Sequence, residues 1–335
     1  FKHRWNPAMA IDLHAHYLPS ELVAQLRARH HIPRIASGPE GKEHLFMPIG
    51  SLAFHDGYVN LEARLQYMDK VGVKRQVLSL PGLFGVDSLA AAEALPLVQI
   101  FNDDLIDVCR RHPDRFSGLA ALPLADPKAA QAELKRTRKA GLAGAILPVN
   151  SFLTEAHAER LRPLFTLGNE LGAHFFIHPG RRPDQVDAPP PADTDYTVAR
   201  RALAVQAAVG EAMATLLFSP FLDAFPNVTI HVANLGGTFP AVFERIVEVV
   251  RLRSTGAELP SARARPVYVD CSSLGPAALA LAVEIFGSDR IVLGTDCPIF
   301  DTESSLAAIR NAKLSPEAQQ AILHTNAKRL LRLAD

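Results

Sequence analysis

The stretch Met9-Ala10-Ile11-Asp12-Leu13-His14-Ala15-His16 decides how the rest of the chain is read. A short apolar run that closes on two histidines one residue apart has the signature of a buried strand carrying chemistry at its end. Side chains two apart on a strand point to the same face, so His14 and His16 can hold one ion between them. A neutral imidazole is a common ligand for zinc and other borderline metals, and a pair from one strand fixes two corners of a coordination shell. An isolated His-x-His also fits two polar residues at a strand end, so the other ligands must be sought elsewhere in the chain.

Seven further apolar runs follow this first strand (9–15), each far enough on for a helix to intervene: 75–80, 116–122, 144–148, 174–178, 228–233, 267–271 and 291–294. Between them lie segments of helical period rich in Ala and Leu, among them 127–140, 156–171, 198–224 and 277–286. This alternation argues for an α/β protein with parallel strands covered by helices. Eight such units in 335 residues predict a closed (β/α)8 TIM barrel rather than an open doubly wound sheet. His14, His16, Asn150, His178, Asn234, Asp270 and Asp296 all stand at or near the ends of these runs, and a barrel brings such ends to one face. A single domain over 9–335 is expected, with 1–8 read as a leader or an upstream start choice ahead of Met9.

Acidic and basic residues number 35 each, so the formal charge is zero and nothing favours nucleic acid or an anionic membrane as partner. Cys109, Cys271 and Cys297 are scattered and show no Cys-x-x-Cys spacing, which fits a reducing cytoplasm and no thiolate metal site. No apolar run is expected to reach the roughly 18 residues of a spanning helix. Two insertions interrupt the pattern. Segment 35–60 carries turn residues around 45–49 and reads as a hairpin after strand one, placed to roof the site. Segment 180–195, with three consecutive prolines, reads as a lid or a plain surface connection. Ser315-Pro316-Glu317 opens the closing helices, with Ser at the N-cap and Pro at the first helical position.

His178 closes the run 174–178 and precedes Pro179, which has no N–H to extend a ladder. Asp296 ends a buried run abruptly, and a carboxylate there needs a partner, since burying it unpaired costs several kcal/mol. Each alone also reads as a hydrogen-bonded strand end. Together His14, His16, His178 and Asp296 form a three-histidine, one-carboxylate set with room for a water. Run 144–148 ends without a Lys or Glu to bridge a second ion, so one metal is expected.

The segments IDLHAH (11–16), FFIHPG (175–180), NLGGTFP (234–240) and LGTDCP (293–298), in this order, resemble the amidohydrolase superfamily. More narrowly they resemble its branch containing aminocarboxymuconate-semialdehyde decarboxylase and γ-resorcylate decarboxylase. The resemblance implies a distorted (β/α)8 barrel, zinc or in some members manganese on His14, His16, His178 and Asp296, no organic cofactor, and a homodimer. Two departures stand out. The branch reads Ala-His-x-Gly-Gly after strand six, with the histidine as an acid/base group, whereas this chain has Asn234 there, either a natural variant or a replacement of histidine. An amide orients a ligand but carries no proton near neutral pH. His231 faces the opposite side by pleat parity and reads as packed or outward rather than as a substitute base. Gly236 and Gly237 read as permitting close backbone approach near the metal, or as a tight strand-to-helix turn.

The second departure is the lack of arginine in 35–60, where the muconate-semialdehyde enzymes would call for a carboxylate clamp. Arg181, Arg182 and Arg200 are the alternative clamps, and Phe84, Tyr196 and Phe300 are candidates for an aromatic pocket. The leading expectation is a single-metal carbon–carbon lyase that decarboxylates a small aromatic or dienoic carboxylic acid, with Asp296 shuttling the proton and Asn234 positioning water or substrate. The rival is a hydrolase of an ester, lactone, amide or vinylogous ketone with Asp296 as base, because fold does not settle chemistry. A noncatalytic ligand-binding barrel is the third.

Overall fold

In the computed structural model, which describes residues 9–185, 197–254, 259, 265–272 and 275–333, every residue of the opening strand β1 (Ala10–His16) is buried. It is followed by β2 (Arg34–Ser37), β3 (Glu43–Met47) and β4 (Gly50–Ala53), and then by β5 (Val73–Ser79), β6 (Phe116–Ala120) and β7 (Gly144–Pro148). Next come β8 (His174–His178), β9 (Thr229–Val232), β10 (Val267–Asp270) and β11 (Ile291–Val292). Eight of these form one parallel sheet in the order β1-β5-β6-β7-β8-β9-β10-β11. The ring closes where Leu13 N donates to Leu293 O (2.9 Å) and His16 N to Cys297 O (2.7 Å). The result is a (β/α)8 barrel.

The last strand is shorter than its apolar run because Leu293 N turns away to Ile322 O (2.9 Å). Side chains reinforce the closure. Asp12 accepts from Thr295 Oγ1 (2.7 Å), Thr295 N (3.1 Å) and Gln76 Nε2 (2.9 Å), while Arg64 donates to Gln76 Oε1 (3.1 Å) and to His16 O (2.6 Å). Inside the ring, Ile11, Leu13, Val77, Leu119, Ile146 and Phe176 belong to one buried cluster that draws on successive strands. A larger cluster fills the space between strands and helices, with Phe175 and Ile177 on the outer face of β8.

Helix boundaries follow proline. Pro127–Lys139 starts at Asp126, which caps Lys128 N and Ala129 N, with Pro127 in the first turn. The expected helix 156–171 is two, Glu155–Glu159 and Arg162–Leu171, the second opening with Pro163 in its first turn. The expected helix 198–224 ends at Phe218, and Pro220 begins a separate short turn, Pro220–Ala224. Contrary to expectation, Thr197–Phe218 is 22 residues long and apolar enough to cross a membrane by length and composition. It instead connects β8 to β9 and buries Val209, Ala212, Met213, Leu216 and Leu217.

The insertion after β1 is a three-stranded antiparallel sheet, not a hairpin. The run 34–37 supplies the extra strand because Ile35 pairs with Leu45 and both are 2 % exposed, so the sheet has an apolar face of its own. It rests on the segment after β5, where a Cβ on Gly85 would lie 3.1 Å from Pro48 Cγ.

Candidate metal centre

β1 carries a bulge: Asp12 is opposite Gln76 and Ala15 opposite Leu78, so three steps on β1 match two on β5. The extra residue re-aims the strand end. Leu13 remains in the interior cluster, and yet His14 and His16 both turn into the barrel mouth, where His178 from β8 and Asp296 after β11 meet them. The ligand atoms of these four residues all lie within 4.8 Å of one another. Asp296 reaches the point through a left-handed backbone, φ 57°.

The hydrogen bonds fix which imidazole nitrogen faces the centre. His178 Nδ1 donates to Pro179 O (2.8 Å), His14 Nδ1 to Asp270 Oδ2 (3.0 Å), and His16 Nδ1 lies 3.2 Å from Ser79 Oγ. Protons on Nδ1 leave the Nε2 lone pairs for a cation. His14 Nε2 and His16 Nε2 sit 3.2 Å apart, and Asp296 Oδ1 lies 3.4 and 3.0 Å from them. Two lone pairs and a buried carboxylate oxygen that has no hydrogen-bond partner among the described residues call for positive charge, so the donor set fits a divalent cation.

The electrostatics express the same demand. Burial disfavours a charged imidazole at all three histidines, and it holds His16 below, and His178 well below, the ordinary value. At His14 the carboxylates of Asp270 and Asp296 outweigh burial and push the pKa up to about 10. Burial would raise Asp296, but His14 and His16 outweigh it and hold its carboxyl well below the usual range. The Asp296 side chain is 13 % exposed while those of His14 and His16 are fully enclosed.

Asp270 organises the floor of the site. Its Oδ2 accepts from His14 Nδ1 and from His231 Nε2 (2.9 Å), and its Oδ1 from Asn234 N (3.2 Å) and Ser272 N (3.0 Å). Gly294 makes room for it, since a Cβ there would fall 2.6 Å from Asp270 Cβ. In the sequence Asp270 is only a strand end, with nothing local to assign it a role. His231 is packed rather than outward: it is fully buried and stacked on Phe176 at 4.3 Å. Asn234 Oδ1 accepts from Ser272 Oγ (2.6 Å), and Asn234 has φ 60°.

Gly236 and Gly237 serve the turn and its packing. A Cβ on Gly237 would meet Gln206 O at 2.2 Å, and one on Gly236 would meet Met213 and Phe286.

The expected substrate groups are dispersed. Arg181 donates to Gln185 O (3.1 Å), and Arg182 pairs with Asp184 (3.0 Å). Arg200 is exposed in the first turn of its helix. Phe84 is in the core at 1 % exposure, Phe300 is 49 % exposed, and Tyr196 lies outside the described residues, as do 186–195 of the expected lid and leader residues 1–8. Arg182 lines a cavity of about 340 Å³ with His157, Arg160 and Asp184, and none of the four metal-site residues lines it.

An amidohydrolase family model matches residues 11–333. The chain belongs to the amidohydrolase family. Among curated relatives of this amidohydrolase, γ-resorcylate decarboxylase of Rhizobium radiobacter is 29 % identical over 295 residues, covering 81 % of this chain and 87 % of that protein. The 2-amino-3-carboxymuconate-6-semialdehyde decarboxylase of Dictyostelium discoideum is 28 % identical over 244 residues, 71 % of this chain and 66 % of that one. Solved structures share the barrel. That of 5-carboxyvanillate decarboxylase from Sphingomonas paucimobilis matches with a TM-score of 0.77 at 20 % identity, covering 98 % of this chain and 100 % of that one. The dihydroxybenzoic acid decarboxylase from Polaromonas, crystallised with manganese and 2-nitroresorcinol, matches at 0.72 and 20 % identity, covering 98 % of each.

Proposed function

We propose that this amidohydrolase is a single-metal decarboxylase of a small aromatic carboxylic acid. The observation that carries the proposal is the cluster of three enclosed imidazoles and one carboxylate, Asp296, that keeps access to the barrel mouth. The names of its relatives support the reaction class. His14, His16, His178 and Asp296 would hold a divalent cation, which would supply Lewis acidity toward substrate oxygens. Zinc suits three imidazoles, and manganese is the alternative.

The protein's own groups do the rest. Asp270 holds His14 in the tautomer and orientation that ligation needs. Ser272 pins the Asn234 carboxamide, so its amide N–H2 is the group left to orient the substrate. Asp296 Oδ1 faces the histidines, which leaves Oδ2 to hold the transferable proton. Delivered to the ring carbon, that proton takes the electron pair of the breaking bond and CO2 departs. The Asp296 carboxyl is held below the usual range and so is ionised at rest; the proton it passes on is first taken from the phenol or carboxylic acid group of the incoming substrate.

The test is a panel of hydroxybenzoates offered to protein of measured metal content. CO2 release with loss of one carboxyl supports the reading; two retained fragments from an ester or lactone panel would replace it with the hydrolase. A homodimer in a reducing, cytoplasmic setting completes the proposal, supported by the exposed Val198, Leu203 and Leu252 and by three free cysteines. Sedimentation velocity measures the former.

A further inference from the structure

Tyr58 is 1 % exposed, and among the described residues its hydroxyl finds no hydrogen-bond partner. Its backbone is fastened beside the metal-binding ends of both closing strands. Leu18 N donates to Tyr58 O (2.9 Å), and Arg64 Nη2 bonds both Gly57 O (2.9 Å) and His16 O (2.6 Å). On the other side a Cβ on Gly57 would touch Pro298 Cβ at 3.4 Å, two residues beyond Asp296. The ring stacks on Phe54 (5.9 Å, 10°) and lies 6.1 Å from Phe84. A purely structural ring here would be phenylalanine, because a buried hydroxyl without a partner costs free energy and adds no packing. Burial, and then the charge of Asp296, push the phenol above its ordinary value, which keeps it a neutral donor.

We propose that the Tyr58 hydroxyl is the polar anchor of the substrate pocket, donating a hydrogen bond to an anionic oxygen of an aromatic acid bound beside Asp296. This rests on the decarboxylase reading for the class of ligand. Phe54, stacked on the Tyr58 ring, adds an aromatic face beside the anchor, which favours a planar ring over an aliphatic acid.

The experiment compares wild type with Tyr58→Phe, full chain loaded with manganese, by calorimetric titration with 2,6-dihydroxybenzoate and benzoate. The variant is expected to bind 2,6-dihydroxybenzoate about tenfold or more weakly, as for loss of a hydrogen bond to a charged group. Its metal content should be unchanged and its ligand-free Tm equal or higher, since an unpartnered hydroxyl has been removed. An unchanged Kd overturns the proposal. So does a lower ligand-free Tm, which would mean that the hydroxyl was already partnered, or a wild-type protein that binds neither acid. The decarboxylase reading fails separately, if the acids bind in a Tyr58-dependent way and no CO2 appears.

Discussion

Replacing Asp270 by asparagine probes the metal centre without touching a ligand. The carboxylate is fully buried and takes four hydrogen bonds, two from ring nitrogens of His14 and His231 and two from the backbone N–H groups of Asn234 and Ser272. Asparagine offers one oxygen and one N–H2. The backbone groups can only donate, so the oxygen must stay with them and the N–H2 must face the imidazoles. His14 then has to accept at Nδ1 and carry its proton on Nε2, the nitrogen whose lone pair the cation needs. Supporting contacts of this kind are worth roughly 10–100-fold in metal affinity, or about 1.4–2.8 kcal/mol. Metal-free protein titrated with zinc against a chromophoric chelator measures the change, and thermal unfolding shows whether the barrel survives. An affinity within twofold of wild type would refute the tautomer argument.

Three further perturbations test other parts of the structure. Both oxygens of Asp87 are buried with no hydrogen-bond partner among the described residues, and burial pushes its pKa from 3.8 up to about 7. The folded chain therefore holds a proton that the unfolded chain has lost, so stability falls as pH rises between those values, by about 4 kcal/mol in all. Asp87→Asn should remove that slope and be the more stable form near pH 8, and parallel urea curves for the two proteins across this range would contradict it. Gly294→Ala should displace Asp270 and cost about 1–3 kcal/mol of stability, together with metal affinity; unfolding and chelator titrations that match wild type would count against the close contact. If Asn234 replaces a histidine, Asn234→His should raise CO2 release by orders of magnitude, whereas an unchanged rate assigns proton transfer to Asp296 without help from position 234.

The residues of the candidate metal site were legible as a group because each closes an apolar run, and barrel topology collects the ends of such runs. The polar companions were not, because their meaning depends on neighbours far away in the chain. Asp270 becomes the support of His14 only once β10 lies between β9 and β11. Pleat parity placed His231 away from Asn234, but its bond to Asp270 needs the closed ring. The bulge in β1 leaves no mark on an alternating pattern, and the third strand of the insertion is hidden in the short run 34–37. Arg182 follows His178 closely in sequence, but its guanidinium pairs with Asp184, two residues on. Tyr58 lies in the insertion, where nothing in the local sequence sets it apart from other aromatics, because its hydroxyl's lack of a partner among the described residues is a property of packing.

The ring closes between its first and last strands, and β11 brings only two residues to its ladder with β10. His14 and His16 stand on one side of that junction and Asp296 on the other. A cation shared among them would thus be a clasp across the join that closes the barrel, coupling segments some 280 residues apart in the chain. At a hundredfold excess over Kd such a ligand adds about 2.7 kcal/mol to stability. Catalysis and ring closure would then draw on the same atoms, and removing the metal should loosen the amides of Leu13, His16 and Asp296 before those of β7 and β8.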